Sequence, residues 1–263
     1  MSEIPVFETL AVAVDGSVAS IHLNRPNRLN ALSHVLLNEI VGLSAWLHTR
    51  DDIKVATLMG AGRAFSAGFD LGDFSSKTSG SSSRDGADLG RRATNAWTDV
   101  PQLTVVGVHG HCVGGGVVLV GASDIRFAAE DAVFSIPEVD LGIPLAWGGI
   151  PRLVREIGPA LTKELVLSCR PFTPAEAKSI GFINDVVPSA ELARRVESFA
   201  TSLAAKPTYA LRITKQQVNA VAEEMAGTGR SVGDADMLVY AMHDDESRAA
   251  TRRYLSARAP KGT

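Results

Sequence analysis

Cysteine is scarce in this sequence, with only Cys112 and Cys169 among 263 residues. Both lie in apolar stretches, and this placement predicts two buried thiols in a reducing compartment rather than a disulfide or a metal site. Apolar runs as long as the ~20 residues that span a bilayer are also lacking. The first ten residues, MSEIPVFETL, lack the basic and apolar regions of a signal peptide. We therefore expect a cytoplasmic protein with no membrane partner.

The sequence also has no excess of basic residues. Lys and Arg number 26 against 29 Asp and Glu, which gives a formal net charge of −3. Without a basic patch, nucleic acid is not expected as a partner. No metal-ligand spacing occurs, and the glycines at 114–116 are not followed by the Lys-Ser/Thr pair of a nucleotide phosphate loop. The hydrophobic content of 45% is typical of a globular protein with a substantial core.

Strand and helix patterns alternate up to about residue 188, and only helix patterns follow. Alternating runs at 6–14 and 18–23 flank an Asp-Gly pair, which predicts a β-hairpin. Ser33 precedes an apolar periodicity over 34–48, which predicts a capped helix. We therefore expect an α/β core over residues 1–188 and a helical region over 189–263.

The remaining elements follow from the same patterns. Residues 75–86 are Ser- and Gly-rich, which predicts a mobile loop. Strands are predicted at 53–59, 103–108 and 182–187, and helices at 89–97, 116–121, 151–157, 159–168, 174–181, 190–204, 207–225 and 234–257.

The centre of the chain holds the residues that suggest chemistry. The strand pattern at Leu103–Val108 is followed by three glycines at 114–116, and these by a second apolar run at 117–120. Because glycine has no Cβ, a ligand can approach its backbone closely. A glycine triplet can equally be a flexible turn that lets a helix pack closely.

Glu138 is the acid that stands out, since it lies in an apolar loop with few other charges. Partial burial would raise its pKa toward the working pH, which suits a base that exchanges protons with carbon. From position alone it could also be a surface glutamate, or an ion-pair partner of Arg126 or Arg152.

Several motifs occur in a fixed order along the chain. They are Asn-Arg-Pro at 24–26 with Asn-Ala-Leu at 30–32, GAGRAFSAGFDL at 60–71, GHCVGGG at 110–116, and Pro-Glu at 137–138. In this series they resemble the crotonase superfamily, the enoyl-CoA hydratase/isomerase family, over essentially the full length. The resemblance implies an α/β fold: a crotonase-like ββα spiral core with a C-terminal helical trimerisation region. It also implies a homotrimer or a dimer of trimers.

The chemistry that the resemblance implies is stabilisation of the enolate of an acyl-CoA thioester. Two backbone N–H groups, those of Phe69 and Gly115, would form an oxyanion hole for the thioester oxygen. Glu138 matches the family's catalytic acid. Coenzyme A is then part of the substrate, and no separate cofactor is implied.

Val118 departs from the family pattern. Typical hydratases carry a second glutamate at this position, and the two acids together activate water. A single base can still move a double bond by taking a proton from C2 and returning it at C4, so the sequence favours an enoyl-CoA isomerase. The dienoyl isomerase pattern is also not met, since Ala146 stands eight residues beyond Glu138 where some relatives have an acid.

Two alternatives stay open. One is a hydratase whose missing acid is supplied by Asp140 or by a histidine, His109 or His111. The other is an acyl-CoA binding protein that has kept the hole and lost catalysis.

Other residues are expected around the substrate. By resemblance they are Arg28, Leu29, Ala67, Asp70, Leu71, Gly114, Val118 and Trp147. Arg28 is the first candidate for the CoA phosphates, with Arg258 or Lys261 as further cations. Asp70 and Asp124 match family positions that we interpret as structural turn or cap residues. Trp147 stands where the family tends to have small residues, and would either narrow the acyl pocket or pack in the core.

Overall fold

The computed structural model describes residues 3–70, 72 and 83–258, without the side chains of residues 83 and 258. Leu71, Lys261 and most of the predicted loop at 75–86 lie outside the described residues, as does the side chain of Arg258. The strands are β1 (Leu10–Asp15), β2 (Val18–Leu23), β3 (Val55–Gly60), β4 (Leu103–Val108), β5 (His111–Val113), β6 (Ile125–Ala129), β7 (Val133–Ser135) and β8 (Asp185–Val187).

The helices of the described residues follow the strands in chain order. They are α1 (His34–His48), α2 (Ser83–Asp99), α3 (Gly115–Gly121), α4 (Gly149–Ser168), α5 (Pro174–Ser179), α6 (Leu192–Ala204), α7 (Thr208–Met225), α8 (Asp234–Ala241) and α9 (Asp245–Arg258). Short 3-10 turns span Pro26–Arg28, Ser189–Glu191 and Thr228–Gly233.

Strands from the described part of the chain form one sheet in the order β1-β2-β3-β4-β6-β8. The predicted hairpin is confirmed, since β1 and β2 pair antiparallel with Asp15 opposite Val18. The other pairs are parallel. Nearly every residue of β3 and β4 is buried, as expected for parallel strands that are covered on both faces.

A second layer lies beside this sheet, formed by β5, β7 and the isolated bridges Ser66↔Cys112 and Leu32↔Phe69. Each of β2, β3, β4 and β6 therefore leads into a short extended segment and then into a helix. This repetition is the predicted ββα spiral. It places the short extended segments side by side.

The sequence located most helices correctly. Ser33 caps α1 by accepting a hydrogen bond from the Leu36 N–H at 3.2 Å. Gly158 has φ +75° inside α4, so the predicted division into two helical pieces is confirmed. The helix of the C-terminal region nearest the sheet, α6, packs Val196 and neighbouring apolar residues against Val105 and Phe127 of the sheet.

Three of the predicted boundaries are wrong where a specific contact ends or starts an element. The helix expected at 234–257 breaks between α8 and α9, where the Asp244 carboxylate accepts the Ser247 N–H at 2.8 Å and starts a new helix. Helix α2 begins at Ser83 rather than near 89, and Arg84 at its start pairs with Asp236 at 2.7 Å. Strand β8 is shorter than 182–187 because Ile183 N–H donates to the carbonyl of Ala177 instead of the sheet.

Candidate active site

The segments that carry Phe69 and Gly114 are held side by side in the second layer. Ser66 N–H donates to His111 O at 3.0 Å, and Val113 N–H donates to Ser66 O at 3.0 Å. On its other side, Gly114 N–H donates to Ser135 O at 2.8 Å. The predicted donor loops therefore have defined positions relative to each other.

Phe69 follows a glycine that the fold requires. Gly68 has φ +86°, and a Cβ there would lie 2.9 Å from the carbonyl oxygen of Val113. Leu32 fixes the same segment, since its N–H donates to Gly68 O at 2.8 Å and its carbonyl accepts from Asp70 N–H at 3.2 Å. The backbone of Phe69 is thus held between two hydrogen-bonded neighbours.

Gly115 begins α3, and the first N–H groups of a helix have no carbonyl partner within it. Gly114, just before it, has φ +50°, and a Cβ on Gly114 would collide with Oε1 of Glu138. The carboxyl group of Glu138 is therefore packed against the backbone one residue before the predicted donor amide.

Glu138 reaches this position from the loop after β7. The residue is half-buried, but its Oε2 is fully buried and has no hydrogen-bond partner among the described residues. Loss of water around the carboxylate raises its pKa from 4.5 to about 7. Because an unpaired buried carboxylate destabilises the fold, this position favours a chemical role over a structural one.

Several of these residues line one cavity with a volume of about 80 Å³, whereas Gly115, the second predicted donor, does not line it. The predicted residues Ala67, Phe69, Gly114 and Glu138 all line it. Gly68, Val113 and Pro137 also line the cavity and lie within the motifs at 60–71, 110–116 and 137–138. The sequence did not point to the other lining residues, which are Leu141, Ile143, Thr251, Tyr254 and Leu255.

The wall from α9 is the main feature that the sequence missed. Thr251, Tyr254 and Leu255 lie more than a hundred residues beyond Glu138 and belong to a mostly polar helix. Thr251 Oγ1 donates to Leu141 O at 2.6 Å, which fastens α9 to the loop that carries Glu138. No local pattern in the sequence could show this contact.

Val118 and Trp147 lie next to the site but do not line the cavity. Val118 is 2% exposed, and a Cβ on Gly149 would lie 2.9 Å from Val118 Cγ2. The position at which hydratases carry a second acid is therefore an apolar packing position. The Trp147 ring lies between Gly90 and Gly115 and forms a T-shaped pair with the Phe69 ring, with centroids 5.7 Å apart.

The remaining predicted substrate residues are arranged differently. Arg28 is exposed, and neither it nor Leu29 lines the cavity. Leu29 instead fixes the first loop, since its carbonyl accepts from Ala67 N–H at 2.8 Å. Asp70 forms an ion pair with Arg25 at 2.8 Å, and its other oxygen accepts the N–H of the residue two positions on, as a turn residue would.

The acids and histidines proposed for a hydratase lie apart from the cavity. Asp140 and His111 are exposed, and the His109 ring is 2.9 Å from Gly62 O. None of these three residues lines the cavity.

Other expectations concern sites away from the cavity. Cys112 and Cys169 are free and buried, as predicted, and burial raises the pKa of both thiols. The described ranges contain no cluster of three metal-binding side chains. In the same ranges, no helix has the length and apolar character required to cross a bilayer.

Together, the ββα spiral and a buried acid beside a glycine-rich helix start define an enzyme of the crotonase fold. The chain belongs to the enoyl-CoA hydratase/isomerase family, whose model matches residues 13–262.

Two curated relatives illustrate the range of the family. The peroxisomal Delta(3,5)-Delta(2,4)-dienoyl-CoA isomerase of Arabidopsis thaliana is 37% identical over 229 residues, which cover 82% of each chain. A probable enoyl-CoA hydratase of Mycobacterium tuberculosis is 30% identical over 259 residues, 98% of each chain.

Solved structures agree with the fold. An enoyl-CoA hydratase/isomerase from Mycobacterium paratuberculosis is 27% identical with a TM-score of 0.86, covering 94% of this chain and 99% of its own. A monofunctional enoyl CoA isomerase from M. smegmatis is 25% identical with a TM-score of 0.70, covering 82% of this chain and 94% of its own.

Proposed function

We propose that the protein moves a double bond within an enoyl-CoA thioester, with Glu138 as its single acid/base. The observation that carries the proposal is the placement of the Glu138 carboxyl group: its Oε1 lies against Gly114, and its Oε2 is buried without a hydrogen-bond partner among the described residues. The reacting carbons of a thioester bound at the next residue, Gly115, would lie within reach of this carboxyl group.

The reaction needs only the groups already named. The Glu138 carboxylate takes a proton from C2 of a 3-enoyl-CoA, and the electron pair of that C–H bond moves onto the thioester oxygen. The N–H groups of Phe69 and Gly115 stabilise the resulting dienolate. Glu138 then returns the proton to C4, the electrons flow back from the oxygen, and a 2,3 double bond results.

Hydration is less well supported. Adding water across the double bond requires a nucleophile held at C3 and a proton delivered to C2. The second acid that would hold the water is replaced by buried Val118. Similarity to a dienoyl-CoA isomerase supports isomerisation in general, but Ala146 cannot act as the further acid.

The test compares wild type with Glu138→Gln and with Asp140→Asn, which changes an exposed acid two residues away. Each enzyme is incubated with 3-enoyl-CoA, 2-enoyl-CoA and 3,5-dienoyl-CoA, and double-bond migration and water addition are followed separately. We expect migration of the 3-enoyl bond, a loss of about 10²–10⁴-fold in Glu138→Gln, and little change in Asp140→Asn.

Three results would contradict this proposal. Hydration without migration would make the protein a hydratase, and loss of that hydration in Asp140→Asn would identify its second acid. Tight binding of substrate with no turnover would make it an acyl-CoA binding protein. Full activity in Glu138→Gln would show that the base lies elsewhere.

We also propose that Arg28 contacts the phosphates of CoA, because it is exposed in the early loop that the family places against the coenzyme. Arg28→Ala should raise KM for the CoA thioester and leave kcat unchanged. An unchanged KM would remove Arg28 from the binding site.

Assembly as a homotrimer or a dimer of trimers is proposed from the outer surface of the C-terminal helices. Helix α7 exposes Tyr209, Val218, Val221 and Met225, all more than half accessible, and Met237 and Tyr240 on α8 are similarly exposed. Large exposed apolar side chains in such number on two neighbouring helices of the chain are typical of protein–protein contacts. Sedimentation equilibrium should give the mass of three or six chains, and the monomer mass would contradict the proposal.

A further inference from the structure

Trp147 has a backbone conformation that a residue with a side chain rarely adopts. Its φ is +62°, and Gly148 after it has φ +71°. The left-handed region is strained for a residue with a Cβ, because the Cβ comes too close to the following carbonyl oxygen. Three polar contacts hold the turn: Thr94 Oγ1 and Arg152 Nη1 donate to Trp147 O at 3.0 and 3.3 Å, and Asp234 accepts Gly148 N–H at 2.9 Å. Strain held by so many contacts is typical of functional positions.

The turn delivers the indole into a slot between two helices. Gly90 of α2 and Gly115 of α3 form its walls, because a Cβ on either residue would overlap the ring. A glycine in the middle of a helix destabilises that helix relative to alanine. The ring explains why α2 carries Gly90. The indole is 8% exposed.

The same ring contacts both residues whose amides would bind the thioester oxygen. The six-membered part of the indole lies against Gly115, where a Cβ would be 2.3 Å from Trp147 Cζ3. The indole and the Phe69 ring are nearly perpendicular, with an interplanar angle of 89°. Phe69 and Gly115 belong to different turns of the spiral, and their segments are hydrogen-bonded to each other at Ser66, three residues before Phe69. Beyond that point, the indole is a side chain against which both donor residues pack.

We propose that Trp147 is a positioning residue of the oxyanion hole, whose ring sets the separation between the Phe69 and Gly115 amides. This inference rests on the proposed role of those two amides. Each donor must lie about 2.7–3.1 Å from the oxyanion, and a misplacement of ~1 Å can cost on the order of 10²-fold in rate. A rigid ring that contacts both segments is suited to holding the two amides at the required distances from the oxyanion. Trp147 does not line the cavity, so it acts through its neighbours.

Two variants disturb the slot in opposite ways. Trp147→Ala empties it, whereas Gly90→Ala adds a Cβ that must displace the ring. Both should lower kcat by about ten- to a hundred-fold with little change in KM, and Trp147→Phe should restore part of the loss. The matched control is Trp46→Ala, which removes another buried indole, from α1. That variant should lose stability and keep kcat.

The decisive readout is the stretching frequency of the thioester carbonyl in a bound, isotope-labelled saturated acyl-CoA. Hydrogen bonds in the hole lower that frequency, and this measurement requires no isomerisation. We expect the shift to shrink in Trp147→Ala and Gly90→Ala and to persist in Trp46→Ala. If Trp147→Ala does not fold, Gly90→Ala and Trp147→Phe decide the question.

The outcomes separate the two proposals. If the wild-type enzyme shows the carbonyl shift but does not move double bonds, the proposed reaction is wrong and the role of Trp147 stands. A shift and a kcat that are unchanged in folded Trp147→Ala or Gly90→Ala would overturn the positioning role alone. Absence of any shift in wild type would remove the oxyanion hole, and the inference with it.

Discussion

Two acids of this protein lie largely inside the fold, and their surroundings are opposite. Asp124 Oδ2 accepts hydrogen bonds from Thr104 N–H at 2.7 Å and Thr104 Oγ1 at 2.9 Å, and it pairs with Lys215 Nζ at 2.8 Å. Glu138 Oε2 has no hydrogen-bond partner among the described residues. Asp124 therefore has an oxygen with three donors, whereas Glu138 has a buried oxygen with none.

The difference separates a structural acid from a candidate catalytic one. Asp124 and Lys215 join α7 to the starts of strands β4 and β6, since Asp124 precedes β6 and Lys215 Nζ also donates to the carbonyl of Gln102, just before β4, at 2.8 Å. Removing either partner leaves an unpaired buried group, which destabilises a protein strongly. Glu138 already has a buried oxygen without a partner. Its replacement should therefore lower activity and raise the free energy of unfolding.

The largest expected change in stability is in Lys215→Met, which leaves Asp124 without its cation. We expect the free energy of unfolding to fall by about 3 kcal/mol or more, as measured by urea denaturation at pH 7. Lys163→Met, at an exposed position of α4, should stay within about 0.5 kcal/mol of wild type. Equal losses in both variants would show that the buried pair has no special role.

Glu138→Gln should move stability in the other direction. The pKa of Glu138 is about 7 in the fold against 4.5 as a free group, so the folded state binds its proton more tightly. Its contribution is fully present below pH 4.5 and is lost as the pH rises through about 7. The shift corresponds to about 3 kcal/mol as an upper estimate.

Denaturation of wild type and Glu138→Gln between pH 5 and 8.5 measures this effect. The free energy of unfolding of the variant relative to wild type should rise between pH 5 and about 7 and stay at that higher level up to pH 8.5. A difference between the two proteins that does not change with pH would mean that the Glu138 carboxylate is solvated in the fold.

The same pKa predicts the pH dependence of activity. If Glu138 must be ionised to take a proton, kcat/KM should rise about tenfold per pH unit below 7 and level off above it. A profile of wild-type isomerisation from pH 5 to 9 tests this. A rate that is flat from pH 5.5 upward would place the base at an ordinary, exposed carboxylate.

The smallest expected effect is the gain of function in Val118→Glu. This variant gives the site a second acid at the hydratase position, so hydration of 2-enoyl-CoA should rise above wild type. The gain should stay below about tenfold, because Val118 is buried beside Leu145 and Gly149 and a new carboxylate there would pay for desolvation. Val118→Gln adds a similar volume without the charge and should give no gain. Unchanged hydration in a folded Val118→Glu would refute the idea that one missing acid limits hydration.

The elements that the sequence located correctly depend on neighbours in the chain. The hairpin at Asp15-Gly16, the cap at Ser33 and the break at Gly158 each follow from local conformational preference. One boundary that it missed, the start of α2, involves a partner far away in the chain, since Arg84 pairs with Asp236. The motif order also placed Phe69, Gly114 and Glu138 in one site, because their segments are successive turns of one spiral.

The cavity shows the same division. Its floor comes from motifs in chain order, whereas Thr251, Tyr254 and Leu255 reach it only because α9 folds back onto the loop at Leu141. The role of Trp147 could not be chosen from the sequence, since a tryptophan beside glycines can narrow a pocket or fill a core. Its position between Gly90 and Gly115 depends on three segments packing together.

The sequence by itself determined the order of strands and helices, the glycines that the turns require, and the absence of an acid at Val118. Those features are written in residue type and spacing. Only the tertiary structure decided that Glu138 has a buried oxygen without a partner while Asp124 pairs with Lys215, and that Trp147 touches both predicted donor residues. Burial and pairing depend on which distant segments pack against a group, and exclusion of water by those segments is the main cause of the raised pKa of Glu138.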